Sequence, residues 1–315
     1  MSNKVSGLGD NFYIGGYDLS GDVASLDKIS GGPALLDVTP INKSANVRIA
    51  GLRDGAMQFT TYFENSGAVS NPAVPASGTP YLSTYNWPVL VTISAGTVTN
   101  VTINGSTQGT GDGTYLLPAL GAITLTYSVA PTWNWVAVGT EHNALSILPR
   151  ADVHCMYARG TAINNPAACC LGIQLSYDIT RDNKGALSAQ VEVNSDGFGM
   201  EWGTLLTPGV RVDTTATNGS SRNDAASSAY GAQAYCQLLN IIGTSVDIVI
   251  QHSTDNATWS TLIDFGSLSA IGAARGSVSN TATVNQYLRV ITSGTFTYAA
   301  FAVMINRNQI PGQVF

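Results

Sequence analysis

Apolar and polar residues alternate with a period of two along most of this chain. In residues 47–63 the alternation runs through Val47 and Ile49, then Met57, Phe59 and Thr61, with Gly51 to Gly55 between the two runs. That pattern predicts a half-buried β-hairpin turning at the glycines. After Phe63 the chain becomes almost free of charge for roughly seventy residues, rich in Thr, Val, Gly, Asn and Pro, and the earlier character resumes at EHNALSILPRADVHCMYARG. This predicts one β core, opened at a loop by an inserted β unit.

Within the insertion, AVSNPAVPASGTP is a semi-extended linker. Val89, Val91 and Ile93 then alternate, as do Val101 and Ile103, and Asn104-Gly105 is a hairpin turn signal. Ile123, Leu125 and Tyr127 form a further strand, and the unit closes on Trp133 and Trp135, on one side of an extended segment. Such a unit reads as a small Ig-like sandwich. The core resumes with a short helical turn at HNALSIL and strands at 152–160, 168–177 and 186–193, followed by the segment 197–213, which is expected to supply a Gly-rich corner and a buried Trp202. The polar stretch 214–228 has no apolar periodicity and reads as a linker, and from Tyr230 onward short alternating runs predict a second, jelly-roll-like sandwich. At the N-terminus, Asp18 and Ser20 stand as helix caps before Val23, Leu26 and Ile29 at helical spacing, so a short helix ending at Gly31-Gly32-Pro33 is expected within an arm over residues 1–46. The fold class is all-β, with a core over 1–65 and 140–215, an inserted Ig-like domain with its linker over 66–139, and a C-terminal sandwich over 225–315.

Composition narrows the functions available. Charged residues make up 11% of the chain, against about 25% in ordinary domains, and Thr, Ser, Asn and Gly take their place. A net charge of −6 argues against a nucleic-acid grip, though not against a surface that DNA slides past. No long apolar run predicts a membrane segment, and the first residues do not form a secretory signal. Cys155, Cys169, Cys170 and Cys236 match no zinc spacing and read as buried free thiols.

Catalytic chemistry finds little support. His142, His154 and His252 fall in three unrelated contexts, and the turn bearing Asp178, Arg181 and Asp182 lacks a calcium-loop ladder. Glu141 and Glu201 are the nearest thing to a glycosidase carboxylate pair, with nothing to set their separation. Neither a Walker loop nor a nucleophile elbow occurs. The chain reads as a non-enzyme without metal or cofactor. Trp133, Trp135 and Trp259 are candidate surface ligand residues, the first two also being suited to core packing.

GLRDGAMQFTTYF (51–63), LPRADVHCMYARGTAINNPAACC (148–170), QLSYDITRDNKGALSAQVEVNSDGFGMEWG (174–203) and LTPGVRVDTTATNG (206–219) resemble the major tail proteins of long-tailed bacteriophages, particularly those of actinobacteria. The insert is similar to Ig-like additions of phage structural proteins. The resemblance implies a tail-tube-like β-sandwich or barrel core. It further implies a virion subunit, assembled in the host cytoplasm, that self-associates into stacked hexameric rings. Its expected partners are other copies of itself, the tape-measure, tail-terminator and baseplate proteins, and DNA passing through the lumen unbound. Candidate subunit contacts are Asp18, Leu26, Arg53 and Asp54. The alternatives are a capsid decoration protein or a minor tail adhesin with sugar-binding sandwiches, and a secreted carbohydrate-active enzyme.

Overall fold

The computed structural model describes residues 9–63, 66–85, 88–118, 120–138, 141–148 and 150–310. The fold is all-β. The body begins with β1 (Asn11–Ile14) and β2 (Tyr17–Asp18), followed by two 15-residue strands, β3 (Val23–Asp37) and β4 (Arg48–Tyr62), paired antiparallel along their length. The expected turn at Gly51 to Gly55 and the expected helix around Val23 to Ile29 are therefore both replaced by one long hairpin. Two register shifts, after Val23 and after Leu26, set Val23, Leu26 and Ile29 opposite Thr61, Phe59 and Met57. Each shift is a β-bulge that spends an extra residue, so a two-residue repeat on one strand faces a three-residue repeat on the other. The three-residue spacing that mimics a helix arises from those bulges.

Residues 66–138 contain β5 (Ser66–Ala68), β6 (Pro80–Leu82), β7 (Val89–Ser94), β8 (Thr97–Ile103), β9 (Ser106–Gly109), β10 (Gly113–Leu117), β11 (Ala122–Val129) and β12 (Thr132–Val138). They form two four-stranded sheets, ordered β10-β7-β12-β5 and β6-β11-β8-β9, around a shared cluster of Val89, Val91, Val101, Ile123, Leu125 and Trp135. Positive φ at Asn104 and Gly105, 49° and 79°, makes the predicted tight hairpin turn.

A one-turn helix, α1 (Glu141–Leu145), leads into β13 (Arg150–Ala158), β14 (Pro166–Arg181), β15 (Leu187–Ser195) and β16 (Glu201–Leu205). Short strands β17 (Arg211–Asp213) and β18 (Arg222–Asn223) precede β19 (Ala232–Ser253), β20 (Ser260–Leu268), β21 (Gly272–Val278) and β22 (Tyr287–Arg307). All the strands outside the insert join one 14-stranded sheet whose main path is β2-β1-β13-β14-β16-β22-β19-β20. The segment expected as a linker, 214–228, lies along β22, through an Asn218–Ile291 bridge and the pairing of β18 with Leu288 and Tyr287. Gly203 lets β16 approach β22, because a Cβ there would come 2.2 Å from the Ile305 carbonyl oxygen.

The alternation across β14 divides the core. Cys170 and Ala168 pack with Phe12, Ile14, Met57, Phe59, Leu145 and Val191 on one side, whereas Cys169 and Ala167 pack with Tyr235, Leu239, Ala302 and Met304 on the other. All four cysteines are buried and free. Leu120 and Ala122 of the insert join the second cluster, and Asn240 Nδ2 donates to the Leu120 carbonyl, so the insert is seated on the bend of β19 and β22.

Candidate assembly surface

The strands β3, β4, β15 and β14 form a two-faced sheet. Along one face lie the register partners Val23, Thr61, Ala189 and Ile179, then Leu26, Phe59, Val191 and Tyr177, then Ile29, Met57 and Val193. Most of that face is covered by α1 and β1, as the burial of Met57, Phe59, Ala189, Val191 and Val193 shows. The opposite face carries Ser25, Thr60, Gln190 and Asp178 in one row and Lys28, Gln58, Glu192 and Ser176 in the next. Thr60 Oγ1 donates to Asp27 Oδ2 at 2.8 Å, which places a further carboxylate there. The result is a flat polar surface with three carboxylates, Asp27, Asp178 and Glu192, against one ammonium, Lys28.

Both edges of this sheet are open among the described residues. β3 pairs only with β4. β13 accompanies β14 no further than the Arg150–Gln174 pair, which leaves residues 175–181 without a strand on that side. Unpaired edges are templates for another chain, and the bulges in β3 partly blunt one of them.

At one end of the sheet the β3–β4 hairpin departs alone. β15 follows β4 only as far as Ala56, and from there β3 and β4 pair with each other out to Asp37 and Arg48. The departure is set by a glycine pair. Gly31 and Gly55 are register partners, and a Cβ on either would strike Met200, at 2.4 Å from its Cβ or 2.6 Å from its backbone nitrogen. Beyond this point the arm exposes Leu35, Leu36, Val38, Val47, Ile49 and Leu52, and Ile41 at its tip is fully exposed. The tip is ordered locally, with Asp37 accepting from Thr39 N at 2.9 Å and Thr39 Oγ1 accepting from Val47 N at 2.7 Å. The Thr39 hydroxyl, which donates to Asp37 Oδ1, and the Thr39 N–H together hold the Asp37 carboxyl below its ordinary range.

The candidate contact residues fall in two places. Arg53 and Asp54 stand at the root of the arm. Asp54 accepts from Gly55 N at 2.8 Å and Ser195 Oγ at 3.3 Å, and Arg53 lies against Gly199 in a cleft of about 480 Å³ with Leu52 and Phe198. Asp18 and Leu26 belong to the body. Asp18 accepts from Ser20 N and Oγ, and burial raises its carboxyl pKa despite those bonds. Leu26 is half-buried against the Phe59 cluster.

Of the candidate ligand tryptophans, Trp133 and Trp135 are 7% and 1% exposed, with ring centroids 5.3 Å apart and both edge-on to Tyr81. They fill the insert and present no platform. Trp259 is half-buried, and the Arg289 guanidinium lies 4.2 Å from its ring centroid. Trp202, expected inside, is 51% exposed. Its neighbour Glu201 takes the inward position because Arg275 meets it there at 2.7 Å.

Glu201 and Glu141 do not converge. Glu141 accepts from Thr61 Oγ1 at 2.7 Å in the body core, whereas Glu201 is held by Arg275 beside Tyr235. His154 and His252 have pKa values lowered by burial, and His252 Nδ1 accepts from Asn285 N. Among the described residues no group of His, Cys, Asp and Glu is arranged to hold a metal ion, and no helix is long and apolar enough to cross a membrane.

Sequence reasoning expected an arm over residues 1–46 but missed that it is the β3–β4 hairpin, and it missed the Met200 seat and the polar face. The last was visible as Gln58 and Thr60 alternating with Met57, Phe59 and Thr61, and as Gln190 and Glu192 alternating with Val191 and Val193.

No family model and no curated protein matches this sequence. Among solved structures the chain is similar to the SPP1 Dit (gp 19.1) protein, described as a paradigm of the hub adsorption apparatus in phages infecting Gram-positive hosts. The identity is 8%, the match covers 96% of this chain and 99% of that one, and the TM-score is 0.28. At that level the likeness transfers neither fold nor function.

Proposed function

We propose that this chain is a structural subunit of a phage tail, of the kind that self-assembles into stacked rings around a conduit for DNA. The observation that carries the reading is the two-faced sheet with both edges open. Edge-to-edge addition of further copies would continue the sheet around a ring and satisfy backbone groups left unpaired in a single chain. The polar face, with its excess of carboxylates, would then line the lumen, where it repels phosphate and gives DNA no grip.

The arm supplies the second dimension. It leaves the sheet at the Gly31–Gly55 end, while exposed Tyr62, Ile179 and Leu187 lie at the opposite end. Complementary apolar elements at opposite ends favour head-to-tail contacts, which propagate as open stacks. On this reading the insert and the C-terminal strands face outward. The natural partners are further copies of the chain and the proteins that measure and terminate the tube.

Electron microscopy of the purified chain, with mass measured by sedimentation across a concentration series, tests the proposal. Rings or tubes and a mass that rises with concentration are expected, and loss of both on Gln190→Lys together with Glu192→Lys is not, because those residues face the lumen. A compact trimer would overturn the tube reading.

A further inference from the structure

We propose that the cleft beside Trp202 is a binding site for a neutral saccharide. This inference is independent of the tube reading and concerns a different surface. The cleft has a volume of about 700 Å³ and is formed where β16, β22 and the segment 222–228 meet, with Asn164 at its rim. Its lining includes Trp202, Asn164, Asp224, Ser227, Asn306 and Gln309. An exposed indole flanked by amides, a hydroxyl and a carboxylate suits a pyranose ring. The ring's C–H face stacks on the aromatic surface, and its hydroxyls meet amides and a hydroxyl that both donate and accept.

The cleft is built rather than incidental. Its floor is a network of buried arginines. Arg222 Nε and Arg307 Nη1 lie 2.7 and 3.2 Å from the two oxygens of Asp224, and these three side chains are 5%, 8% and 18% exposed. Arg222 Nη1 also donates to Thr204 Oγ1, and Arg307 donates from Nε to Ser228 Oγ and from Nη2 to the Val284 and Ala226 carbonyls. This network fixes segment 222–228 against β22 and β16. It also selects the ligand. Both guanidiniums are already engaged by protein acceptors, and a carboxylate lines the same cleft, so an anionic group gains no free cation there. A neutral, hydroxyl-rich ring meets no such penalty.

The test uses the full-length chain labelled with 5-fluorotryptophan. The ¹⁹F resonance of Trp202 is assigned as the one missing from Trp202→Phe, and the probes are maltotetraose, cellotetraose and chitotetraose, each titrated to millimolar concentration. At least one probe is expected to shift the Trp202 resonance while those of Trp133 and Trp135 stay in place. In saturation-transfer measurements Trp202→Ala should weaken that probe about tenfold, Trp202→Phe should retain most of the binding, and Asn306→Ala should weaken it severalfold. Circular dichroism checks that each variant is folded. The proposal is overturned if no probe shifts the Trp202 resonance, if binding is unchanged in Trp202→Ala, or if Trp202→Ala alters the sedimenting mass without any saccharide response, which would assign the cleft to subunit contact.

Discussion

Single residues decide where this molecule stops being a sheet and starts being an arm. Gly31 and Gly55 are opposite each other, and the space their missing side chains leave is taken by Met200. Gly55→Ala must push a Cβ against backbone, which cannot rotate away as a side chain can. A loss of about 1–3 kcal/mol is expected from overpacking of this kind, read as a lower urea midpoint, whereas Gly21→Ala, whose Cβ would meet nothing, should leave the midpoint unchanged. An equal midpoint for both variants would show that the seat on Met200 does not constrain the arm. The residue scale is also where the sequence was most misleading about Trp202. Side-chain hydropathy places an indole inside and a carboxylate outside. Here Arg275, distant in sequence, meets Glu201 and stacks 3.7 Å from the Phe198 ring centroid, which reverses the alternation.

Elements with strict alternation were legible: β7, β8, β11, β14 and β15 lie where the period-two runs place them, and the Asn104-Gly105 turn lies where its chemistry requires. The β3–β4 hairpin was not, for two physical reasons. Bulges changed the spacing on β3, and beyond Gly31 the strands have no core to bury a face against, so no clean alternation was needed. Segment 214–228 was illegible for a related reason. It is held by polar staples, such as Thr217 N to Thr292 Oγ1 at 3.1 Å and Arg222 Nη1 to Thr204 Oγ1 at 2.8 Å, which leave no apolar period. A two-stranded ribbon that exposes Leu36, Ile49 and Leu52 is marginal unless something covers it. Replacing residues 35–49 with an Asn-Gly turn should therefore leave the body's unfolding midpoint within about 0.5 kcal/mol of the parent while abolishing concentration-dependent growth in mass. Growth that survives the replacement would remove the arm from the assembly contacts. Truncation from the N-terminus would be a poor substitute, since Phe12 and Ile14 are core residues.

Across the whole molecule, burial shapes the response to alkali. Tyr13, Tyr157, Tyr177, Tyr235 and Tyr298 all have raised pKa values, chiefly from burial, with Tyr157 pushed up to about 12 by burial and by its hydrogen bond to Asp10. In the unfolded chain these phenols ionise near pH 10. Their contribution to stability is complete below that value and is lost as pH rises through the folded values, because the unfolded state releases protons first. Urea midpoints should therefore fall between pH 10 and 12, with a shallower fall in Tyr157→Phe. A midpoint independent of pH over that interval would contradict the burial of these rings. The seating of the insert has a consequence for grafting. Its first and last strands, β5 and β12, pair with each other through Ser66 and Val138, so the body meets the insert's entry and exit as two adjacent chain ends. Leu120 and Ala122, however, also belong to the body's core cluster that contains Ile242 and Tyr298. A foreign module spliced in place of residues 66–138 must bring its own apolar residues to that cluster, whereas a short epitope placed in the turn at residues 110–112 disturbs neither, making that turn the natural position for display.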